Sequence, residues 1–311
     1  MILTVTLNAA LDITYRVPRL RPHATNRITE VSERPGGKGL NVARVLAALG
    51  HRTVATGFAG GGTGEALRAL LAETAVTDAL VPVGGATRRT VAVADTATGD
   101  TTQLNEPGPV VTPTEWDTFL GTYRELLGEA QAVALCGSLP PGVPVDVYAR
   151  LTRAARSAGV PVLLDTSGEP LRRGLAARPD LAKPNADELA ALTGSTEPLR
   201  AARDARRRGA HAVAASLGPA GMLAVTAAGA WQAAPPRQIA GNPTGAGDSA
   251  VAGLLSGLVE ELSWPERLTR AVALSAATVR APAAGEFDAA TYEELLRTVK
   301  VAAPSPEGRS A

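Results

Sequence analysis

Two rhythms of apolar and polar positions divide the chain. Ile2 to Leu7 alternates as a strand, and Lys38 to Gly50 places Val42, Val45, Leu46 and Leu49 on one helical face that glycine then stops. From Arg52 the order is strand, glycine loop (Gly60 to Gly64), helix (Glu65 to Glu73) and strand (Asp78 to Val83). Beyond Pro113 it becomes regular: helix to Leu127, strand Ala132 to Leu135, helix Val145 to Ser157, strand Val160 to Leu164. Strands are expected between His211 and Gln232 around the turn Gly218 to Gly221, followed by three helices, the last near Thr291 to Val299. Apolar strands alternating with helices predict an α/β fold whose mostly parallel sheet is covered on both faces.

The second rhythm is shorter. Ile13 to Val17, Ile28 to Val31, Arg89 to Ala94 and Asp100 to Leu104 alternate without enough apolar residues for a core, the last pair flanking the turn Ala97-Thr98-Gly99. These strands predict a β flap built from segments 12–34 and 87–105 on a single domain spanning 1–300. Lys300 falls in the last predicted helix, and residues 301–311 carry Pro, Ser, Gly and charge without periodicity, which predicts a disordered tail.

Composition narrows the classes. A chain of 311 residues with 45% hydrophobic content supports one large core. Its net charge of +1 provides no basic field for nucleic acid or an anionic membrane surface. The first strand starts at Ile2 with no basic and apolar leader, and no stretch matches a bilayer span, so a cytoplasmic location is expected. Cys136 is the single cysteine, and His23, His51 and His211 are scattered, which leaves no disulfide or Cys/His metal cage. Only Lys38, Lys183 and Lys300 among the 31 basic residues are lysines, and the first two stand beside glycine or Asn-x-x-Glu motifs.

The chemistry points to Gly241-Asn242-Pro243-Thr244-Gly245-Ala246-Gly247-Asp248-Ser249, which opens an apolar helix. Amides of Gly245, Ala246 and Gly247 at a helix start can crowd against an anion, and Asp248 supplies a base held ionised by the helix dipole. Taken alone, the stretch also fits a glycine-rich cap. Further polar clusters follow the predicted strands: Asp12, Gly137-Ser138, Asp165, Asn185 and Ser216-Leu217-Gly218. In a parallel sheet these share the edge where ligands bind. No G-x-x-x-x-G-K-[ST] occurs, and Gly245 to Ala250 is a weak dinucleotide fingerprint, without the first βαβ unit or the acidic residue that should follow.

Pairing Gly36-Gly37-Lys38-Gly39-Leu40-Asn41 with Asn242 to Asp248, the chain resembles the PfkB, or ribokinase, family of carbohydrate kinases over nearly its whole length. It is most similar to the phosphosugar branch of 1-phosphofructokinases and tagatose-6-phosphate kinases. The resemblance implies a ribokinase-like three-layer α/β/α domain with a small β-sheet lid, and the use of ATP and Mg²⁺. It implies Asp248 as catalytic base beside the anion hole of Gly245, Ala246 and Gly247. Asp12, Gly37 and Asn41 match sugar-binding positions, while Arg27, Lys38, Arg88 and Ser138 match the surroundings of the substrate phosphate. Lys183, Asn185, Ser216 and Gly218 match ATP-binding positions, with Asn185 and Glu188 arranging Mg²⁺, through water.

The implied reaction is phosphorylation of a ketohexose phosphate, first fructose 1-phosphate to fructose 1,6-bisphosphate, with tagatose 6-phosphate and fructose 6-phosphate as alternative acceptors. A non-catalytic sugar-phosphate sensor and a nicotinamide-dependent oxidoreductase are readings of other classes. Exposed lid edges, and the pairing of lids common in such relatives, imply a homodimer. Four departures from the family pattern bear on the sugar and the loop: Ala9, Arg89-Thr90, Pro243 and Ala250.

Overall fold

The computed structural model describes residues 1–304. The chain runs β1 (Ile2–Thr6), β2 (Ala10–Val17), β3 (Glu30–Gly36), α1 (Lys38–Ala48), β4 (Thr53–Ala59), α2 (Gly61–Ala72) and β5 (Val76–Pro82). It continues through β6 (Arg88–Asp95), β7 (Thr101–Asn105), α3 (Pro113–Leu127), β8 (Ala132–Cys136), α4 (Val147–Ser157), β9 (Val162–Asp165) and α5 (Gly168–Ala176). Then come β10 (Leu181–Ala182), α6 (Ala186–Thr193), α7 (Pro198–Arg207), β11 (Ala212–Ser216), β12 (Met222–Val225) and β13 (Ala230–Ala234). Helices α8 (Ala246–Val259), α9 (Trp264–Thr278) and α10 (Ala289–Thr298) precede β14 (Lys300–Ala302).

The large sheet has the order β14-β13-β12-β11-β10-β9-β8-β1-β4-β5. Strands β11 through β5 in that order pair in parallel, whereas β12, β13 and β14 add antiparallel. Strand alternation sorts side chains into two core layers. On β8, Val133 and Leu135 join Phe119, Tyr148, Leu171 and Leu189 of α3 to α6, while Ala132, Ala134 and Cys136 face Val45, Leu254, Leu268 and Leu295 of α1, α8, α9 and α10. The second layer is built from small residues, and its helices come close: a Cβ on Gly253 of α8 would lie 2.7 Å from Ala271 Cα of α9.

The small sheet has the order β3-β2-β6-β7, with β2 and β6 parallel and the outer pairs antiparallel. Its register puts Asp12, Arg34, Thr90 and Asn105 in one row across one face, and Ile13, Glu33, Val91 and Leu104 in a row across the other. This face-sharing comes from the period of two that marked the segments in sequence.

Three expectations need correction. Gly61 to Gly64 are the first turn of α2 rather than a loop, because the chain leaves β4 extended through Gly60, turns at Gly61 and enters the helix directly. Lys300 is not helical, since α10 ends at Thr298 and Lys300–Ala302 pairs with Ala234, Ala233 and Gln232 of β13. Val301 and Ala302 therefore lie in a strand, not in a tail, and the expected disorder beyond residue 304 lies outside the described residues. Among the described residues, no helix is long and apolar enough to cross a membrane.

Candidate active site

Carboxyl ends of β1, β8, β9, β10 and β11 and the N-termini of α1 and α8 meet on one edge of the large sheet, with the small sheet standing over it. The two glycine motifs are joined there: Asn41 Nδ2 donates to Asp248 Oδ2 at 2.8 Å. Glycines of the first motif make room. A Cβ on Gly36 would collide with the Asp12 carboxylate, and one on Gly39 with Thr6 Oγ1, so β2 and β1 can approach the start of α1 only because these positions have no side chain.

Gly245 caps α8 at φ 84°, and Asp248 stands in the first turn, 7% exposed. Ser249 N–H bonds Gly245 O, and Ala246 N–H donates to Pro243 O at 3.1 Å. Ala246 therefore adds no free amide in this arrangement, which leaves Gly247 and Asp248 in the first turn with no acceptor behind them in the helix. Pro243 thus contributes its carbonyl, and its ring costs the loop nothing that α8 uses.

Asp248, expected to be held ionised by the helix dipole, also feels its burial. Burial, reinforced by the nearby Asp165 carboxylate, pushes Asp248 up to about 6, against the opposing pull of Lys38, the Asn41 hydrogen bond and Lys183. Asp12 is also raised to about 6 by burial, although Arg88, a hydrogen bond from Thr90 and Arg44 draw it back. Lys38 shows the reverse balance: burial disfavours its charge, but Asp165 and Asp248 outweigh that and raise it above the ordinary lysine range.

Asp165, expected on this edge only as a polar residue with no role, stands between two lysines. Its carboxylate is 1% exposed, with Oδ1 at 3.3 Å from Lys38 Nζ and 3.6 Å from Lys183 Nζ. Its Oδ2 is buried without a partner. A carboxylate ending a buried parallel strand was the available signal, in Asp165-Thr166-Ser167. Lys183, 4% exposed, is equally enclosed, and a Cβ on Gly247 would lie 3.7 Å from its Nζ.

Asn185 and Glu188 form a capping box on α6. Asn185 Oδ1 accepts from Glu188 N and Glu188 Oε2 accepts from Asn185 N, both at 2.8 Å. The motif thus has a structural role of its own, and both residues line a cavity of about 430 Å³ with Asp12, Lys38, Asp165 and Asp248. Gln103 and Asn105 of β7 border the same cavity and went unnoticed in sequence, where β7 reads only as a flap strand.

A second cavity, about 200 Å³, is walled by Lys38, Arg88, Ser138, Thr166 and Asn8. Arg88 is held by Asn8 O at 3.2 Å and Thr90 Oγ1 at 3.3 Å, and Asn8 Nδ2 donates to Ser138 Oγ at 3.1 Å. Arg89 turns away into an ion pair with Glu106 at 2.7 Å, so its substitution lies outside the cavity. A third cleft of about 580 Å³ runs outward from Asn185, Ser216, Gly218 and Gly247 to an apolar wall that includes Ile239, Val272 and Val279, none of them anticipated.

Of the expected site residues, the structure gathers Asp12, Gly37, Lys38, Asn41, Arg88, Ser138, Lys183, Asn185, Glu188, Ser216, Gly218, Gly245, Ala246, Gly247 and Asp248 along these three connected spaces. Arg27 is not brought in. It is exposed on the segment between β2 and β3 and lines none of the three.

Comparison with known proteins agrees with the fold. The model of the pfkB family carbohydrate kinases matches residues 5–290. A 1-phosphofructokinase of Rhodobacter capsulatus is 41% identical over 280 residues, which cover 88% of this chain and 89% of that protein. A possible 1-phosphofructokinase of Thermotoga maritima superposes with a TM-score of 0.90 at 28% identity, covering 98% of this chain and 100% of the other. Phosphofructokinase-2 of Escherichia coli in complex with fructose-6-phosphate superposes at 0.87 with 32% identity, covering 95% and 98%. With both glycine motifs on one sheet edge and the family match spanning that whole edge, this chain belongs to the pfkB family of carbohydrate kinases.

Proposed function

We propose that the protein transfers the γ-phosphoryl group of ATP to fructose 1-phosphate, giving fructose 1,6-bisphosphate and ADP. The observation that carries this reading is the ~200 Å³ cavity where Lys38 and Arg88 meet Ser138, which shares Gly37, Lys38 and Arg88 with the ~430 Å³ cavity that Asp248 lines. Two cations around a space of that size suit a phosphate ester already on the sugar. Each charge-assisted contact contributes about 1.5–3 kcal/mol, enough together to separate a sugar phosphate from a free sugar. Similarity to the 1-phosphofructokinase of Rhodobacter capsulatus favours the 1-phosphate over the 6-phosphate.

The sugar lies between Asp12 and Asn41, with its free hydroxyl at Asp248. Asp248 accepts the hydroxyl proton as the sugar oxygen bonds to the γ-phosphorus and the bond to the ADP oxygen breaks. A loose transition state needs the base in position more than it needs strong basicity, and a carboxylate near 6 is mostly ionised at neutral pH. The amides at the start of α8 and the Lys183 ammonium stabilise charge on the transferring group. The ~580 Å³ cleft holds the nucleotide, its base against the apolar wall and its phosphates toward Ser216, Gly218 and Asn185.

Mg²⁺ fits the oxygen donors present. Asp165, with its partnerless buried Oδ2, and Glu188 border the ~430 Å³ cavity. Two carboxylates are too few for a protein cage, which agrees with an ion that keeps its waters and neutralises phosphate charge. Among the described residues there is no cluster of three or more His, Cys, Asp or Glu side chains arranged for a metal.

The small sheet acts as a lid that excludes water from the reaction. Its outer face carries Val31 and Leu104, 55% and 59% exposed, beside Tyr15, Val91 and Val93. Such a face supports a homodimer through the lids, and Arg27, on the adjoining exposed segment, then lies at that interface rather than in its own subunit's cavity. Product analysis tests the reaction. ³¹P NMR of fructose 1-phosphate with ATP should show a second ester resonance on O6 and stoichiometric ADP, and ATP hydrolysis without a new ester contradicts the proposal.

A further inference from the structure

One carboxylate that the chemistry above does not use joins three parts of the site. Glu286, between α9 and α10, accepts from Arg44 Nη2 at 2.7 Å and from Arg34 Nε at 3.1 Å, both on Oε1. Arg34 belongs to β3 of the small sheet and lies opposite Asp12 in the register. Arg44 is one turn beyond Asn41 on α1, and its Nη1 also donates to Ala284 O at 2.9 Å. At the main chain, Glu286 O accepts from Thr278 Oγ1 at 2.9 Å, and that hydroxyl pairs with Ser249 Oγ at 2.6 Å, on the residue after Asp248.

The segment so tied down is the floor of the phosphoryl-binding turn. A Cβ on Gly245 would lie 2.7 Å from Ala284 Cα, so any outward or inward movement of residues 284–286 is felt at the cap of α8. Gly285 is at φ 76°, and a Cβ there would lie 2.7 Å from Arg44 Nη1, which shows how closely the guanidinium is set into the segment. Arg44 is mostly enclosed and Arg34 only about two-thirds covered, at 11% and 32% side-chain exposure. One end of the link is fixed in the core, and the other is free to follow the sheet.

We propose that Glu286 is a positioning residue that couples the small sheet to the turn at Gly245, so that the phosphoryl-binding amides are aligned only while Arg34 of the lid engages the Glu286 carboxylate. Sugar bound at Asp12 holds the lid strand carrying Arg34, Arg34 and Arg44 together fix Glu286, and the Ala284 segment then supports Gly245. The inference rests on the kinase reaction but concerns alignment, which can be read without turnover.

The test compares wild type with Glu286→Gln, Arg34→Ala and the double variant. Steady-state kinetics with fructose 1-phosphate should show kcat lowered by roughly 10- to 100-fold in each single variant, with KM for the sugar within about threefold of wild type. Because both changes break one link, the double variant should fall no further than Glu286→Gln alone. Hydrogen exchange, measured without substrates, should rise over residues 243–249 in Arg34→Ala, a variant altered only on the partly exposed lid. Unchanged exchange at 243–249 in Arg34→Ala overturns the coupling whatever the turnover, as do multiplicative losses in the double variant. A Glu286→Gln protein that does not fold leaves Arg34→Ala to decide by the same two readouts.

Discussion

Asn41 donates to Asp248 at 2.8 Å across 207 positions of sequence, so the first glycine motif orients the carboxylate that the second one supplies. The hydrogen bond favours the ionised carboxylate and works against the burial that raises it to about 6. Protonated Asp248 cannot accept the sugar proton, so kcat is expected to fall as pH drops through about 6. Asn41→Leu removes the opposing contribution and should move that acid limb to higher pH. A pH–rate profile of both proteins checks this, and an unmoved limb contradicts it.

The same burial gives Asp248 a cost in stability. Its folded value of about 6 lies above the ordinary 3.8, so the native state holds the proton more tightly than the unfolded chain. Stability from this group is therefore present at low pH and lost as pH rises through about 6. Asp248→Asn should be more stable than wild type at pH 8, by on the order of 1–3 kcal/mol, while its kcat drops roughly 10²–10⁴-fold. Thermal melts at pH 8 and pH 5 should show the gain at the first and its shrinkage at the second.

On the proposed function, Arg88 is expected to separate phosphorylated from free sugar. Held by Asn8 O and Thr90 Oγ1, its guanidinium is set in place before substrate arrives. Arg88→Met should reduce kcat/KM for fructose 1-phosphate by roughly 10- to 100-fold, and leave any slow turnover of fructose nearly unchanged. Parallel assays with the two sugars measure the ratio.

Gly245 tolerates no side chain, for reasons of both conformation and space. At φ 84°, with Ala284 Cα 2.7 Å from any Cβ, Gly245→Ala must displace the turn. Loss of donor alignment should lower kcat by roughly 10²–10³-fold at little change in the far-ultraviolet circular dichroism.

Much of this fold could be read along the chain because its strands and helices are long and regularly patterned. Strand β1 illustrates both the success and its limit. The alternation Ile2, Thr4, Thr6 looks half-exposed, yet β1 is buried on both faces, since Gly39 lets the start of α1 sit on Thr6. Strand β10 is two residues long and displays no period that marks it in sequence, whereas α7 does carry a helical period, with Leu199, Ala202 and Ala205 buried, but on small residues. Within the site, glycine motifs and Asn-x-x-Glu announce themselves by spacing. Asp165 was legible as a polar residue on the ligand edge, but the two lysines distant in sequence that converge on it were not. Gln103, Asn105 and Glu286 were hidden for the same reason: their roles arise from the register of the small sheet and from a loop packing beneath Gly245.

Acceptor preference bears most directly on the central claim, that Lys38, Arg88 and Ser138 read a phosphate while Asp248 activates the hydroxyl at the other end of the sugar. ADP release should be measured with ATP and Mg²⁺ over fructose 1-phosphate, fructose 6-phosphate, tagatose 6-phosphate and fructose. The highest kcat/KM is predicted for fructose 1-phosphate, with free fructose at least about 100-fold lower. Turnover of fructose equal to or faster than that of every phosphorylated sugar would contradict the account.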